Sequence, residues 1–167
     1  MEIQELSEKY AVRKLDETDT DAIFALCCQN EIFYRFHPPF VTKKSILEDM
    51  SALPPGKQAA DKFYIGFERN GKLAAVMDLV LDYPGEGAAY IGFFMMDKEL
   101  QGQGIGTEII GGCAHSLGRQ GYGKIRLAID KGNPQSEAFW KKNGFAATGE
   151  EIPNPVSVYI PMERVLL

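Results

Sequence analysis

Glycines at 102, 104 and 106, spaced two apart in the stretch DKELQGQGIGTEII over residues 97–110, are the first feature of this chain that can do chemistry. Each costs roughly 0.5–1 kcal/mol against alanine inside a regular element. Three of them at the threshold of a helix mark a loop, or a place where something approaches the backbone closely. Unpaired N–H groups at a helix start, with the helix dipole behind them, favour an anion such as phosphate. Asp78 is the second feature, a charge in the apolar run AAVMDLVL that needs a reason to be there. Either it is functional, with a pKa raised by apolar surroundings, or it faces solvent on the open side of a sheet. Cys27, Cys28 and Cys113 give no paired framework, and no Cys-x-x-Cys or His-x-x-x-His spacing exists to hold a metal. A thiol nucleophile would need a histidine and an orienting partner, with only His37 and His115 to choose from, so the cysteines read as small buried hydrophobes.

The elements that position these residues follow from periodicity. YAVRKL at residues 10–15 reads as a strand, followed by a helix that Thr18 or Asp19 caps and whose Ile23, Leu26 and Cys27 share a face. After the aromatic stretch EIFYRFHPPF, Thr42 caps a second helix through Ser51, with Ile46, Met50 and Leu53 at helical spacing before Pro54-Pro55-Gly56. The period then changes to two. Residues 62–68, 72–82 and 88–96 read as an antiparallel meander, its first turn at Asn70-Gly71 and its second at Tyr83–Gly87. Next comes a helix from Gly104 to about Arg119 along Ile105, Ile109, Cys113 and Leu117, its Gly111-Gly112 pair read as close packing on a sheet. A strand at 124–130, a helix from about Pro134 to Asn143, and strands at 145–149 and 156–162 complete the order β-α-α-β-β-β-α-β-α-β-β. This is an α/β (α+β) chain with one mixed sheet and helices on its faces, a single domain over residues 1–167.

The net charge of −5 is spread along the chain, and Lys and Arg form no run longer than a pair, which argues against nucleic acid as a ligand. The charged opening MEIQELSEKY does not resemble a signal peptide, and no apolar run approaches the ~20 residues that span a bilayer. No membrane association and a cytoplasmic location are the expectations.

Two well-known phosphate motifs fail against the glycine triplet. A P-loop needs Gly-Lys-Ser/Thr, and here Gly106 runs into Thr107 without the lysine. A G-x-G-x-x-G dinucleotide fingerprint would need glycine at Thr107 or at Ile109. What remains, Gln101-Gly102-Gln103-Gly104-Ile105-Gly106, fits Gln/Arg-x-x-Gly-x-Gly/Ala, and here the chain resembles the GNAT superfamily of N-acetyltransferases. Upstream, IGFFMMDKEL resembles that family's fourth strand and the bend after it; downstream, GNPQSEAFWKKNGF resembles its second signature. The order of elements is similar as well, so the likeness covers nearly the whole chain and implies the family's mostly antiparallel sheet.

The resemblance implies acetyl-coenzyme A as acyl donor, with no metal. The amides of Gln101, Gly102, Gln103, Gly104, Ile105, Gly106 and Thr107 would receive the pyrophosphate. The backbone of Phe94, Met95 and Met96, at a bulge that splays the fourth and fifth strands, would pair with the pantetheine arm. One of the two methionines would point inward as ordinary packing. Asn133 and Ser136 would hold the arm from the other side, and Trp140 would pack beside it or lie in the core. The implied reaction is direct attack of a primary amine, from a small molecule or a peptide, on the thioester carbonyl. That attack needs a deprotonated amine, a donor for the developing oxyanion and an acid for the leaving thiolate. The family's usual acid is a tyrosine where this chain has Trp140, which leaves Tyr159 and Tyr90 as the alternatives. Asp78 is the candidate base; a water chain could equally carry the proton. Phe33, Tyr34, Phe36 and His37 are the expected acceptor contacts, or else part of a lid over the sheet. A homodimer through the last strands is compatible with the resemblance. The missing tyrosine also leaves open a catalytically idle domain that binds or senses acyl-coenzyme A.

Overall fold

The computed structural model describes all 167 residues. Strand β1 (Ala11–Lys14) is followed by helices α1 (Thr20–Cys28), α2 (Glu31–Phe36) and α3 (Lys43–Ser51). The meander β2 (Lys62–Arg69), β3 (Lys72–Leu81) and β4 (Ala88–Met96) leads into α4 (Ile105–Arg119), β5 (Lys124–Asp130) and α5 (Pro134–Lys142). Short strands β6 (Ala146–Ala147) and β7 (Ile152–Pro153) precede β8 (Val158–Val165). All eight strands form one sheet in the order β1-β2-β3-β4-β5-β8-β6, with β7 also on β8; only β4 and β5 run parallel. The mixed, mostly antiparallel sheet with helices on both faces is the expected architecture.

The local rules operate where their chemistry is specific. Asn70 (φ 53°) and Gly71 (φ 74°) form the two-residue turn of the β2–β3 hairpin, which demands positive φ at both positions. Thr42 and Ser45 exchange side-chain and backbone hydrogen bonds, each 3.0 Å, at the start of α3. The run in β3 is almost continuously apolar because both of its faces are covered. On one side Met77, Ile109, Leu117 and Ile125 are fully buried with α4 and α5; on the other Val76 packs with Ile23, Cys27 and Ile46 of α1 and α3. Truncating any of these large side chains to alanine costs about 2–5 kcal/mol.

Several expectations change in detail. The aromatic stretch between the two expected helices itself contains a further helix, α2, six residues long. The cap before α1 is Asp16, whose carboxylate accepts from Thr18 N while Asp19 reciprocates in a short 3-10 turn; neither Thr18 nor Asp19 caps α1 with its side chain. Helix α3 stops at Ser51, so Leu53 lies beyond it and is exposed. The segment 145–149 pairs only at Ala146–Ala147, and β8 extends to Val165. A Cβ on Gly112 would lie 2.8 Å from the Leu6 carbonyl, so this glycine admits the N-terminal segment instead of the sheet, and Gly111 has no neighbour within 4 Å.

Candidate active site

β4 and β5 pair only from Ala88 to Ile91 and from Lys124 to Leu127, and beyond those residues they part. A bulge lies opposite Asp78 and Leu79, which face Phe93 and Ile91, so Gly92 is the extra residue. This corrects the expected position near Met95 and Met96, and a lone glycine inside the strand run was the signal available for it. Past the bulge the free edge of β4 is legible from its partners. The Met96 carbonyl accepts from Asn30 Nδ2 at 3.1 Å and from Gln101 Nε2 at 3.3 Å, so Met96 faces away from β3. By the alternation of a strand, the N–H and C=O of Phe94 face the same gap. Met95 and Met96 are both buried, on opposite faces of the sheet.

A cleft of about 310 Å³ opens along this edge toward the glycine loop, lined there by Gln101, Gly102, Gly104, Gly106 and Thr107. Gly102 (φ 75°) and Gly104 (φ 79°) are left-handed, which turns successive N–H groups toward one side, and a Cβ at either would meet nothing within 4 Å. The first helical bond of α4 runs from Glu108 N to Gly104 O at 3.0 Å. The amides of residues 102–107 thus have no intrahelical acceptor and make no well-formed bond to any other protein group. The Gln101 amide, expected among them, is already bonded to the Lys98 carbonyl at 3.3 Å. Gly106 has a packing reason, since a Cβ there would lie 2.6 Å from Met96 Sδ and 2.9 Å from the Phe139 ring.

Not every expected contact lines this cleft. Phe94, Met95, Met96, Ser136 and Trp140 do. Gln103 turns its side chain back to the Glu99 carbonyl (2.8 Å), and Ile105 is buried in the core. Asn133 is almost wholly buried, and its Oδ1 caps α5 by accepting from the amides of Gln135 and Ser136 at 3.1 and 3.2 Å. Trp140 is both core and wall, packed edge-on against Phe94, Phe139 and Phe145. Asn30, Phe33, Gln135, Phe139 and Lys142 also line the cleft and were not foreseen. Asn30 joins the loop to the strand edge, its Oδ1 accepting from Gln101 Nε2 at 2.6 Å while its Nδ2 donates to the carbonyls of Leu26 and Met96.

Through the gap between β4 and β5 a second cavity of about 250 Å³ adjoins the first, and Phe33, Phe94, Ser136 and Trp140 line both. Tyr90 and Tyr159 border it, together with His37 and Asp130. Burial raises the pKa of both tyrosine hydroxyls, so they hold their protons at neutral pH. Of the expected acceptor contacts, Phe33 and His37 line this cavity. Tyr34 is instead buried in the core beneath α2, and the Phe36 ring turns to Gly132.

Asp78 does not face solvent. Its carboxylate is mostly buried, accepts from Lys62 Nζ at 2.8 Å through Oδ2, and leaves Oδ1 buried without a partner. Burial raises its pKa, with Lys62 opposing. It lies behind the bulge, where a Cβ on Gly92 would come within 3.1 Å of Oδ2, and it does not line either cavity.

A mixed sheet that parts between two parallel strands, with the gap opening onto a loop of free amides, defines a class of fold that can take an anion at the loop and an extended chain along the strand edge. The model of the Acetyltransferase (GNAT) family matches residues 24–145, and the chain belongs to that family. Among solved structures, the acetyltransferase from Thermus thermophilus is 15% identical, with 95% of this chain and 97% of that one covered at a TM-score of 0.74. The spermidine N-acetyltransferase from Vibrio cholerae, in complex with CoA and spermine, is 18% identical over 95% and 96% of the two chains, with a TM-score of 0.68. The PaiA N-acetyltransferase from Thermoplasma acidophilum, in complex with coenzyme A, is 15% identical over 93% and 98%, with a TM-score of 0.67. At such identities the likeness speaks for the fold. No curated protein matches the sequence. No group of His, Cys, Asp and Glu side chains is arranged to hold a metal ion, and no helix is long and apolar enough to cross a membrane.

Proposed function

We propose that residues 1–167 form one acetyltransferase domain that moves the acetyl group of acetyl-coenzyme A onto a primary amine of a small molecule or peptide by direct attack. The observation that carries this reading is the juxtaposition of the two cavities, which share Phe33, Phe94, Ser136 and Trp140 as walls where β4 and β5 part. One has free backbone amides at its mouth; the other has polar side chains set in an apolar wall.

The residues suit the donor. A diphosphate fits the amides of residues 102–107, with Lys142 adding a positive charge on the cleft wall. A pantetheine arm carries two amides, and past the bulge the N–H and C=O of Phe94 and the N–H of Met96 offer them strand-like partners, with Ser136 also on the cleft wall. When bound, acetyl-coenzyme A supplies an activated thioester carbonyl. Backbone N–H groups past the bulge are fixed donors for charge on an oxygen placed in the gap, a role that costs no reorganisation. Tyr90 and Tyr159, protonated at neutral pH and lining the cavity, are the proton donors available for a leaving thiolate. Asp78 is held by Lys62 behind the strand and is poorly placed to touch an amine.

Free thiol released from acetyl-coenzyme A in the presence of pooled primary amines, and lost in Gly104→Asp, is the expected result. Binding of acetyl-coenzyme A without release would identify an idle binding domain. Absence of binding at millimolar concentration would remove the transferase reading.

A further inference from the structure

In the cavity between β4 and β5 one imidazole is held from three sides. His37 Nδ1 lies 3.0 Å from Asp130 Oδ2. Phe33 lies against the ring with centroids 5.2 Å apart, and Tyr159 stacks near it at 6.3 Å and 22°. Asp130 is 5% exposed and has no lysine or arginine partner. Its other oxygen accepts from Ser157 Oγ at 2.8 Å, and Ser157 is itself anchored by Asn154, whose Nδ2 donates to Oγ at 3.0 Å. Against an ionised carboxylate, which only accepts, a neutral imidazole carries its proton on Nδ1 and leaves the Nε2 lone pair free. No protein group bonds Nε2, and the side chain is 39% exposed within a cavity that His37 lines.

We infer that His37 is the proton acceptor for the amine, with Asp130 and Ser157 as the residues that position it. This rests on the transferase reading of the site. Ser157 donates to the carboxylate and not to the imidazole, so the arrangement does not activate a serine nucleophile and fits direct transfer. An acceptor ammonium gives one proton to Nε2, the nitrogen lone pair forms the C–N bond, and the C–S bond breaks with its electron pair leaving on sulfur. As the amide forms the nitrogen loses a second proton, so that ammonium and thioester give amide, thiol and one proton in solution. Asp130 offsets the charge that the ring acquires. The other ionisable groups toward the ring are Tyr159 on β8, Tyr90 on β4 and Asp49 on α3, none of them cationic.

Two histidines in the chain make the test direct. In 15N-labelled protein without coenzyme, with His115→Gln assigning the signals, long-range 1H–15N spectra at pH 8 should show His37 as the Nδ1–H tautomer. Asp130→Ala should shift it toward Nε2–H. With pooled aliphatic diamines and dipeptides as acceptors, His37→Gln should lower kcat about 10²- to 10⁴-fold. It should also leave acetyl-coenzyme A affinity within about twofold of the wild type, as expected of a group outside the coenzyme cleft. An Nε2–H tautomer in the wild type, or a kcat for His37→Gln within about twofold of wild type, would overturn the assignment. Failure of the wild type to bind acetyl-coenzyme A would overturn the transferase reading instead, and the tautomer, read without coenzyme, would still decide whether Asp130 holds the ring.

Discussion

Replacing Gly104 by alanine puts a Cβ on a residue at φ 79° while introducing no contact within 4 Å, so its effects come from the backbone alone. A left-handed L-residue costs roughly 1–2 kcal/mol. For a chain of this length about 1 kcal/mol moves the melting temperature by about 2–4 °C, which gives a loss of about 2–8 °C. The loop can relieve the strain by rotating a peptide, which turns one amide of residues 102–107 out of the cradle. A hydrogen bond to a charged group is worth about 1.5–3 kcal/mol. Coenzyme A should therefore bind about 10- to 150-fold more weakly. Titration calorimetry and a thermal melt on the same sample measure the two effects together. A lowered melting temperature with unchanged affinity would refute the reasoning, because the left-handed glycine would then serve only the fold.

Gly106→Ala should cost about 1–3 kcal/mol, since its Cβ meets Met96 and Phe139, and the loss is to be read from denaturant unfolding. Gly111→Ala, in the same helix with open space around it, should instead raise stability by about 0.5–1 kcal/mol. Hydrogen bonds from Arg13 lower the pKa of Asp19, with burial opposing, so the folded state binds this proton less readily than the unfolded chain does. That stability is present above the ordinary carboxylate pKa of about 3.9 and is lost as pH falls through the lower folded value. Melting temperature should fall below about pH 4, and Asp19→Asn should flatten that fall.

Legibility in the sequence followed the range of the interaction. Asn70-Gly71, the Thr42 cap and the glycine loop were readable because a turn or a helix start constrains its own neighbours. Helix α2 was not, being six residues of mixed aromatic and charged side chains with no side-chain cap. The second half of the candidate site depends on contacts between distant segments. Asn30 meets Gln101 across 71 positions, and His37 meets Asp130 across 93. Neither pair leaves a periodic or compositional trace. Asn133 had the reverse problem, because a residue that suits a ligand contact also suits a helix cap, and its Oδ1 serves the cap. Asp78 stood out correctly as anomalous, but the partner that accounts for it, Lys62, lies on the neighbouring strand.

The most direct measurement is a coenzyme A titration of 15N-labelled protein followed by amide chemical shifts. Saturable shifts concentrated at residues 102–107 and at Phe94 and Met96 are the expected result. Saturable shifts elsewhere, with the glycine loop and the free edge of β4 unmoved, would contradict it.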